Sequence, residues 1–374
     1  MFIRITMAPK RAISLLAMLT CLAAGQFCAA QTQAESQLIV VEKDGKSGFI
    51  DNTGKVIIPF QFDKAYSFHE GLALVIVKGR KSFIDTSGHA LFDVQYDVIR
   101  EFSEGVCAVN IGEKRIPNIG LISDPGKWGY IDKTGKLVIP MKFTHAENFS
   151  EGLAAIKEGD KGAFVDHDAK AVFEVPLDVT LGFREGIVGV LYRGNLAYFD
   201  RTGKKISPPL GYGPKNHSFS EGLVPVEIKG KSGFMDRTGK IVIEPQFEDA
   251  EDFSEGLAPV KVRGEVTTWC PREPSGTRKG FTMKWGYIDK TGKVVIPAEF
   301  ESADSFSEGL AAINQCDEGF FIDKTGKKLV LGNFSYVSPF AAGMSRINVG
   351  LNEGRMWGLI NKSGKMIWGP TNGW

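Results

Sequence analysis

A unit of about 34 residues recurs along most of this 374-residue chain and limits the folds that the chain can adopt. Residues 127–154 contain a Trp-Gly pair, a Lys-Thr-Gly-Lys turn and a Ser-Glu-Gly-Leu-Ala end, and residues 284–311 repeat them almost letter for letter. Because each repeat buries its apolar face against its neighbours, such a chain can exceed the usual size of a single-core domain. One residue before each turn marks about nine copies: Asp51, Asp85, Asp132, Asp166, Asp200, Asp236, Asp289, Asp323 and Asn361.

Each unit is predicted to contain three short strands, which we call a, b and c. Strand a follows a glycine, strand b is the Trp-Gly-Tyr-Ile-Asp segment, and strand c is a β-branched run closed by proline, as in residues 294–297. The Asp-Lys-Thr-Gly sequence between b and c is typical of a turn in which aspartate bonds its own backbone and glycine adopts φ > 0. The fourth unit has Ala169 at the glycine position, so we expect a looser turn there.

The expected fold is all-β, a tandem array of about nine three-stranded antiparallel units. A meander of three short strands is not stable alone in water, so the units must pack on one another. A closed, propeller-like ring is favoured because radial repetition protects the sheet edges. Since nine units exceed the usual ~4–8 blades, an open β-solenoid superhelix is the alternative.

The first thirty residues differ from the repeat and have the features of a secretory signal peptide. A basic start that includes Lys10 and Arg11 precedes a short apolar run, and residues 28–30, Cys-Ala-Ala, supply the small residues of a cleavage site. The apolar run is shorter than the ~20 residues of a membrane helix, which disfavours a single membrane anchor. We therefore expect a signal peptide, 1–30, and an array of the β-repeat, 31–374. We expect the array to be exported to the periplasm or the medium and to have no membrane span.

The charge pattern argues against nucleic acid and against catalysis. The net charge is +1, and no basic stripe is present. The turn aspartates precede lysine or arginine, which disfavours cation sites, and the five histidines lack metal-ligand spacing. One glutamate before glycine per unit does not make the carboxylate pair of a glycoside hydrolase. We interpret these glutamates as structural and expect no catalytic residue, metal or cofactor: Glu70, Glu104, Glu151, Glu185, Glu221, Glu255 and Glu308.

The repeat resembles that of the bacterial WG-repeat family. That family's unit reads Lys-Trp-Gly-Tyr-Ile-Asp, Lys-Thr-Gly-Lys, Ile-Pro, Phe, and then Phe-Ser-Glu-Gly-Leu-Ala, and the units at Trp128 and Trp285 follow it most closely. The resemblance covers about residues 37–368. Ser47 and Ser232 replace the tryptophan in two units, which weakens the idea of a tryptophan ring as a ligand site. The resemblance implies an all-β array with scaffold or interaction roles and no catalytic residue.

Two insertions between strands a and b carry our prediction of function. They span residues 111–126 and 263–283, and insertions at one point of a repeat map to one face, often the binding face. Tryptophan and arginine are frequent interface anchors. We expect an exported, non-enzymatic scaffold that binds a protein partner; the alternatives are a binder of envelope glycan such as peptidoglycan, two tolerated solvent loops in place of a binding face, and, more distantly, a hydrolase. The candidate partner-binding residues are Lys114, Arg115, Trp269, Arg272, Arg278 and Phe281.

Three cysteines follow the predicted signal peptide. Cys107 aligns with the small residue of strand a, so we expect a buried free thiol. Cys270 and Cys316 lie in the a–b connections of adjacent units, and export would place them in an oxidising compartment. A Cys270–Cys316 disulfide is one expectation, and two separate thiols are the other, because Cα atoms more than ~7 Å apart cannot be bridged.

Overall fold

The computed structural model describes residues 38–115, 122–211, 213–215, 217–265, 281–315, 318–349 and 356–371. Within these ranges the chain is all-β and forms nine small antiparallel sheets in chain order, which we call blades 1 to 9. The predicted signal peptide, residues 1–30, lies outside the described residues, as do residues 31–37.

The strand bounds are as follows. Blades 1 to 3 contain β1 (Ile39–Lys43), β2 (Lys46–Ile50), β3 (Val56–Phe62); β4 (Lys64–Ala65), β5 (Ala73–Val77), β6 (Arg80–Ile84), β7 (Ala90–Val94); β8 (Val98–Ser103), β9 (Val106–Arg115), β10 (Ile122–Asp132), β11 (Leu137–Phe143). Blades 4 to 6 contain β12 (His145–Ala146), β13 (Ala154–Glu158), β14 (Lys161–Val165), β15 (Ala171–Glu174); β16 (Val179–Arg184), β17 (Ile187–Tyr192), β18 (Asn195–Asp200), β19 (Lys205–Ile206); β20 (Gly213–Pro214), β21 (Leu223–Ile228), β22 (Lys231–Asp236), β23 (Ile241–Phe247). Blades 7 to 9 contain β24 (Asp249–Ala250), β25 (Leu257–Glu265), β26 (Phe281–Asp289), β27 (Val294–Phe300); β28 (Leu310–Gln315), β29 (Glu318–Asp323), β30 (Lys328–Phe334); β31 (Tyr336–Val337), β32 (Met344–Asn348), β33 (Trp357–Asn361), β34 (Met366–Thr371).

The predicted strands a, b and c are present in each blade, and most blades add a fourth strand. The connection after strand c supplies this extra strand, which we call the lead strand, and it pairs with strand a of the next blade. In blade 4, for example, Ala146 of β12 pairs with Ile156 of β13. Within the described residues, blades 1 and 8 have three strands each. The connecting segment with its regular alanine is therefore part of the sheet.

The apolar core lies between consecutive blades. One cluster joins Tyr130, Ile139 and Phe143 of blade 3 to Phe149 and Ile156 of blade 4. The ring of Tyr130 packs edge-on against Phe149, with 5.1 Å between centroids, and its hydroxyl donates to the carbonyl oxygen of Glu147 at 2.7 Å. A buried tyrosine thus satisfies its polar end while its ring fills the interface. Each blade depends on its neighbours for burial, as expected of a repeat array.

The turn between strands b and c has the predicted chemistry. Asp132 Oδ1 accepts from the backbone N–H of Thr134 at 2.9 Å, from the Thr134 hydroxyl at 2.6 Å and from the Lys136 N–H at 3.1 Å, and Gly135 has φ +83°. The prediction of a looser fourth turn was wrong. Ala169 adopts φ 58° and donates its N–H to the carbonyl of Asp166 at 2.9 Å, so the hydrogen bonds of the turn hold alanine in the left-handed region.

A second turn, at the Ser-Glu-Gly-Leu corner, joins the lead strand to strand a. Ser150 and Leu153 exchange two backbone hydrogen bonds, and Glu151 and Gly152 both have positive φ, 51° and 82°. Two central residues with φ > 0 define a type I′ hairpin turn, whose twist matches that of its strands. Asparagine, aspartate or glycine would suit the first central position better than glutamate. The recurrence of glutamate therefore requires a function for its side chain.

That function is to bind the next blade. Glu70 of blade 2 accepts the N–H groups of Glu104 and Gly105 in blade 3, at 2.6 and 2.9 Å. Lys133, from the b–c turn of blade 3, adds an ion pair to Glu70 at 3.1 Å. We call this arrangement a corner latch. Equivalent glutamates accept backbone N–H groups of the next corner at each seam from blade 3 to blade 9: Glu104, Glu151, Glu185, Glu221, Glu255 and Glu308.

The nine blades close into a propeller-like ring, as favoured from the sequence. The b–c turn of each blade rests on strand c of the preceding blade; a β-carbon at Gly364 in blade 9, for example, would lie 2.6 Å from the carbonyl oxygen of Leu331 in blade 8. The same contact joins the first blade to the last: a β-carbon at Gly54 would lie 2.4 Å from the carbonyl oxygen of Ile367. Phe60 and Trp368 stack beside it at 5.4 Å.

Candidate interaction site at the first hairpin

Where the structure describes them, both insertions extend β-hairpins. In blade 3, Lys127 pairs with Ile111 and the ladder continues through Asp124–Lys114 to Ile122–Arg115. In blade 7 the ladder between β25 and β26 continues to the pair Glu265–Phe281. These described residues form strands because pairing satisfies backbone N–H and C=O groups that a loop would leave to water.

Both extensions lie on one face of the ring. In blades 3 to 9 strand a leaves the corner, and strand b returns to the b–c turn, which lies beside the corner of the preceding blade, as Lys133 lies beside Glu70. The a–b turns therefore lie on the opposite face, which we call the hairpin face. The first extension is fixed at its base by buried Asn110, whose side chain donates to the carbonyl of Pro125 at 2.8 Å and accepts from the N–H of Glu113 at 3.2 Å. Asp97 also accepts from the N–H of Gly112 at 2.6 Å.

The structure describes part of the predicted partner-binding set. The side chain of Lys114 is 74% exposed, and its Nζ lies 3.9 Å from Asp124 Oδ2, a surface pair that contributes little to stability. Arg115 and Phe281 lie at the last described pairs of the two hairpins. The remaining predicted residues, and both cysteines of the predicted disulfide, lie outside the described residues: Trp269, Arg272, Arg278, Cys270 and Cys316.

A cleft of about 730 Å³, which we call the hairpin cleft, opens at the base of the first extension. Ile122 and Pro125 of the hairpin form one side, and Val98, Trp128 and His145 are among the side chains of the floor and the far side. Its rim carries charges of both signs: Glu113, Lys157, Asp160 and Asp178. This volume is within the range of ~300–1,000 Å³ typical of ligand sites.

The floor of the hairpin cleft is held by a network centred on Arg100. The guanidinium lies over the ring of Trp128, 5.1 Å from the centroid, and its Nη1 contacts Glu147 Oε2 at 2.9 Å. His145 Nε2 lies 2.7 Å from the other oxygen of Glu147. Burial raises the pKa of Glu147, but the hydrogen bond from His145 and the charge of Arg100 outweigh it, so this pKa lies below its ordinary value. The carboxylate therefore stays ionised and orients the Arg100 guanidinium and the His145 ring.

Sequence reasoning missed Arg100, His145 and Glu147, although a signal was present. These residues lie directly before or after one position of the lead strand, at which most blades have a small residue, such as Ala146. The flanking Phe and Glu-Gly positions recur, whereas the position directly after this lead-strand position takes seven residue types in eight blades: Tyr66, Arg100, Glu147, Leu181, Lys215, Glu251, Asp304 and Ser338. Variation at one position of an otherwise regular repeat indicates a surface that is not constrained by packing.

Trp128 itself is buried, with 4% of its surface exposed, and Ser47 and Ser232 are buried at the corresponding places of blades 1 and 6. The tryptophan of the motif is thus part of the interface between blades. As expected, Cys107 is a buried free thiol, and burial raises its pKa to about 12. In the part of the chain that the structure describes, no group of three or more His, Cys, Asp or Glu side chains is arranged to hold a metal ion, and no helix is long and apolar enough to cross a membrane.

Comparison with known proteins agrees with this architecture. A crystal structure of a eukaryotic initiation factor aligns with a TM-score of 0.57 at 13% identity, covering 90% of this chain and 97% of that one; at this identity the likeness concerns the fold alone. Dipeptidyl peptidase 4 of Porphyromonas gingivalis aligns with a TM-score of 0.46 at 8% identity, covering 94% and 61% of the two chains. No curated protein matches the sequence.

The model of the WG-containing repeat matches six segments, which together make up more than half of the chain: residues 48–80, 82–114, 128–161, 233–265, 285–316 and 320–350. Each segment begins in strand b of one blade, that of blade 1, 2, 3, 6, 7 or 8, and extends over strand a of the next blade. The segments include the unit at Trp128 and the unit at Trp285. The chain therefore belongs to the WG-containing repeat family.

Proposed function

We propose that this protein is an exported, non-enzymatic scaffold that binds a protein partner through the hairpin face. The observation that carries the proposal is the extension of two hairpins, in blades 3 and 7, on the same face of the ring. The a–b connections of blades 1, 2 and 4 to 6 are two-residue turns, such as Lys78-Gly79. The backbone pairs that the described residues of the extensions make all lie within their own blade.

The hairpin cleft supports a binding role for the first extension. Its floor presents Arg100, whose guanidinium covers the ring of the buried Trp128 and whose side chain is 30% exposed, and arginine is one of the residue types that most often dominate binding energy at interfaces. The network of His145, Glu147 and Arg100 fixes these groups before any partner arrives, which lowers the entropic cost of association. The mixed charges of the rim favour a polar protein surface over a uniformly charged polymer.

The non-enzymatic part of the proposal rests on how the acids are used. The b–c aspartates accept hydrogen bonds from their own turns, as Asp132 does, and the corner glutamates accept them from the next blade, as Glu255 does. Both sets of acids, the b–c aspartates and the corner glutamates, therefore have a structural role.

The proposal of export rests on the sequence of residues 1–30. The intact mass of the protein purified from the periplasm or medium should be that of a chain that starts at Gln31. Protein that keeps Met1 and stays in the cytoplasm would contradict export.

The test is capture of a partner from an envelope extract by the mature chain and by two shortened variants. Asn110 and Trp128 are paired, as are Val262 and Lys284, so residues 111–127 and 263–283 can each be replaced by an Asn-Gly turn. We expect each shortened ring to lose only the strand residues of its extension and to keep its melting temperature, because the length of a surface connection changes the closure cost little. It should lose most of the captured protein.

Lys78→Asn, which changes the a–b turn of blade 2 to Asn-Gly, is the matched control and should capture as the wild type does. Equal capture by the shortened and full-length rings would contradict the assignment to the hairpin face. A parallel arm with purified peptidoglycan tests the glycan alternative, which predicts aromatic side chains exposed together. Binding in that arm without a captured protein would favour glycan.

A further inference from the structure

The seam between blades 2 and 3 departs from the pattern of the repeat. At five other seams the corner serine donates its hydroxyl to a phenylalanine carbonyl of the next blade, as Ser150 does to Phe183 at 2.6 Å. Blade 2 has His69 at this place, and its Nε2 instead lies 3.4 Å from Glu101 Oε1 at the surface. The serine bond to the next blade is therefore not available at this seam.

A cleft of about 550 Å³ opens where that bond is missing, and we call it the seam cleft. Apolar side chains of both blades form its walls: Leu72, Leu74, Ile76, Phe83, Val98, Ile99 and Phe102. Phe83 and Phe102 meet edge to face at 5.0 Å, and Tyr66, 41% exposed, lies at the mouth. The volume is within the range of ligand sites. Polar and charged residues line the rest of the cleft: Ser67, His69, Lys81, Asp97, Arg100, Glu101 and Asn148.

The seam between blades 4 and 5 provides an internal comparison. It has its serine bond, from Ser150 to Phe183, and the cleft at the same place measures about 240 Å³. Thr180 occupies the position of Ile99 in the lead strand there, and Ala155 occupies that of Leu74. The larger opening between blades 2 and 3 is therefore not a general property of the seams.

The polar groups around the seam cleft are largely compensated, so an entering group should carry no charge. His69 faces Glu101, Arg100 pairs with Glu147, and the Lys81 ammonium donates to the carbonyls of Tyr96 and Asp97 at 2.6 and 3.2 Å. Two lining residues carry a buried polar atom with no hydrogen-bond partner in the described part of the chain: Arg100 Nε and Asn148 Oδ1.

We propose that the seam cleft receives an aromatic side chain of the protein partner. This inference rests on the proposed scaffold function and names the partner's anchor. An aromatic ring suits walls that already hold Phe83 and Phe102 edge to face, because aromatic pairs of this kind gain stability beyond their burial. Arg100 also borders the hairpin cleft, so one bound segment can occupy both.

The experiment titrates N-acetyl-tryptophanamide into the mature chain with labelled isoleucine and leucine methyl groups. We expect saturable NMR shifts at Leu72, Leu74 and Ile99, with a Kd on the order of 1 mM for so small a probe. N-acetyl-alaninamide should bind at least tenfold more weakly, since it lacks the ring. Ile99→Trp should fill the cleft and abolish the shifts, and Thr180→Trp, at the matched position of blade 5, should preserve them. Leu74→Trp is a second blocking variant if Ile99→Trp does not fold.

Two results would overturn the proposal: shifts that do not saturate, or shifts that persist unchanged in a folded blocking variant. Partner capture separates this failure from that of the scaffold function. If wild type and Ile99→Trp capture a protein equally well, the scaffold stands and the anchor is wrong. If the probe binds but no protein is captured, the scaffold proposal fails. The assignment of the seam cleft to a side chain of a protein partner then fails with it.

Discussion

At the scale of single residues, the conformation of the b–c turn follows from residues that are close in sequence. Asp132 bonds atoms within four residues of itself, and Gly135 needs φ > 0 whatever its surroundings. Ala169 shows the limit of that reasoning. Its identity predicted a different turn, but the hydrogen bonds of Asp166 fix the backbone regardless of the missing glycine. The conformational preference of alanine is outweighed there by the other hydrogen bonds of the same turn.

The turn glycines give a prediction with an internal control. Gly135→Val should lower the free energy of unfolding by more than about 2 kcal/mol, because φ is positive and the new β-carbon would lie 2.7 Å from Phe92. Gly79→Val, at φ 79° in open space, should carry the backbone cost alone, about 1 kcal/mol. Chemical denaturation of both variants measures the difference. Equal losses would show that the b–c turn does not rest on the preceding blade.

At the scale of elements, the three long strands followed from periodicity, whereas the lead strand and the corner did not. A two-residue strand such as β12 is too short to show a periodicity. It forms because the backbone groups along the edge of strand a in its blade, β13, are available for pairing. The sequence indicates a structural role for the corner glutamates but not their partners, which lie more than 30 residues away, as with Glu70 and Gly105. The hairpin extensions were recognised as insertions, but their strand pairing was not recognised.

The corner latch predicts a pH dependence. Burial raises the pKa of Glu255, but the hydrogen bonds and charge of Lys324 and the N–H of Gly309 outweigh it, so its folded-state pKa is lowered. The stabilisation is therefore complete above the ordinary glutamate pKa of about 4.3 and is lost as pH falls through the lower folded value. Glu255→Gln should lower stability by about 1 kcal/mol at pH 7 and by much less near pH 3.

Melting curves between pH 3 and pH 7 measure this effect. Glu42→Gln, at an exposed position of β1, is the control and should leave the pH profile unchanged. If Glu255→Gln melts with the wild-type profile across that range, the latch does not hold the seam.

At the scale of the whole molecule, repetition made an array predictable but could not decide between a ring and a superhelix. That choice depends on a small rotation per blade, which no short motif encodes. The seam between blades 9 and 1 differs from the others in a way that the sequence contains. Ala342 replaces the corner glutamate of blade 9, and Asn52 replaces the basic turn residue of blade 1 that would face it. The closing seam relies on apolar contacts such as Phe60–Trp368.

Completing the latch should therefore strengthen the ring. In blade 9, Lys362 Nζ lies 3.0 Å from Glu308 Oε2, and Ala342→Glu with Asn52→Lys would create the equivalent pair. We expect the double variant to gain about 0.5–1 kcal/mol over the sum of the single variants. A double-mutant cycle of unfolding free energies measures this coupling. Additive effects would mean that the two positions do not meet.

Cross-linking across the closing seam tests ring closure most directly. The chain for this measurement has Cys270 and Cys316 replaced by serine and keeps Cys107, which is buried and has a raised pKa of about 12. Phe60→Cys with Trp368→Cys should react with a short bifunctional maleimide within one molecule, because the native rings lie 5.4 Å apart. Phe60→Cys with Leu331→Cys, in blade 8, should not. A closed ring predicts an intramolecular link across most of the sample, and a 60–368 pair that links only between molecules would contradict it and favour an open superhelix.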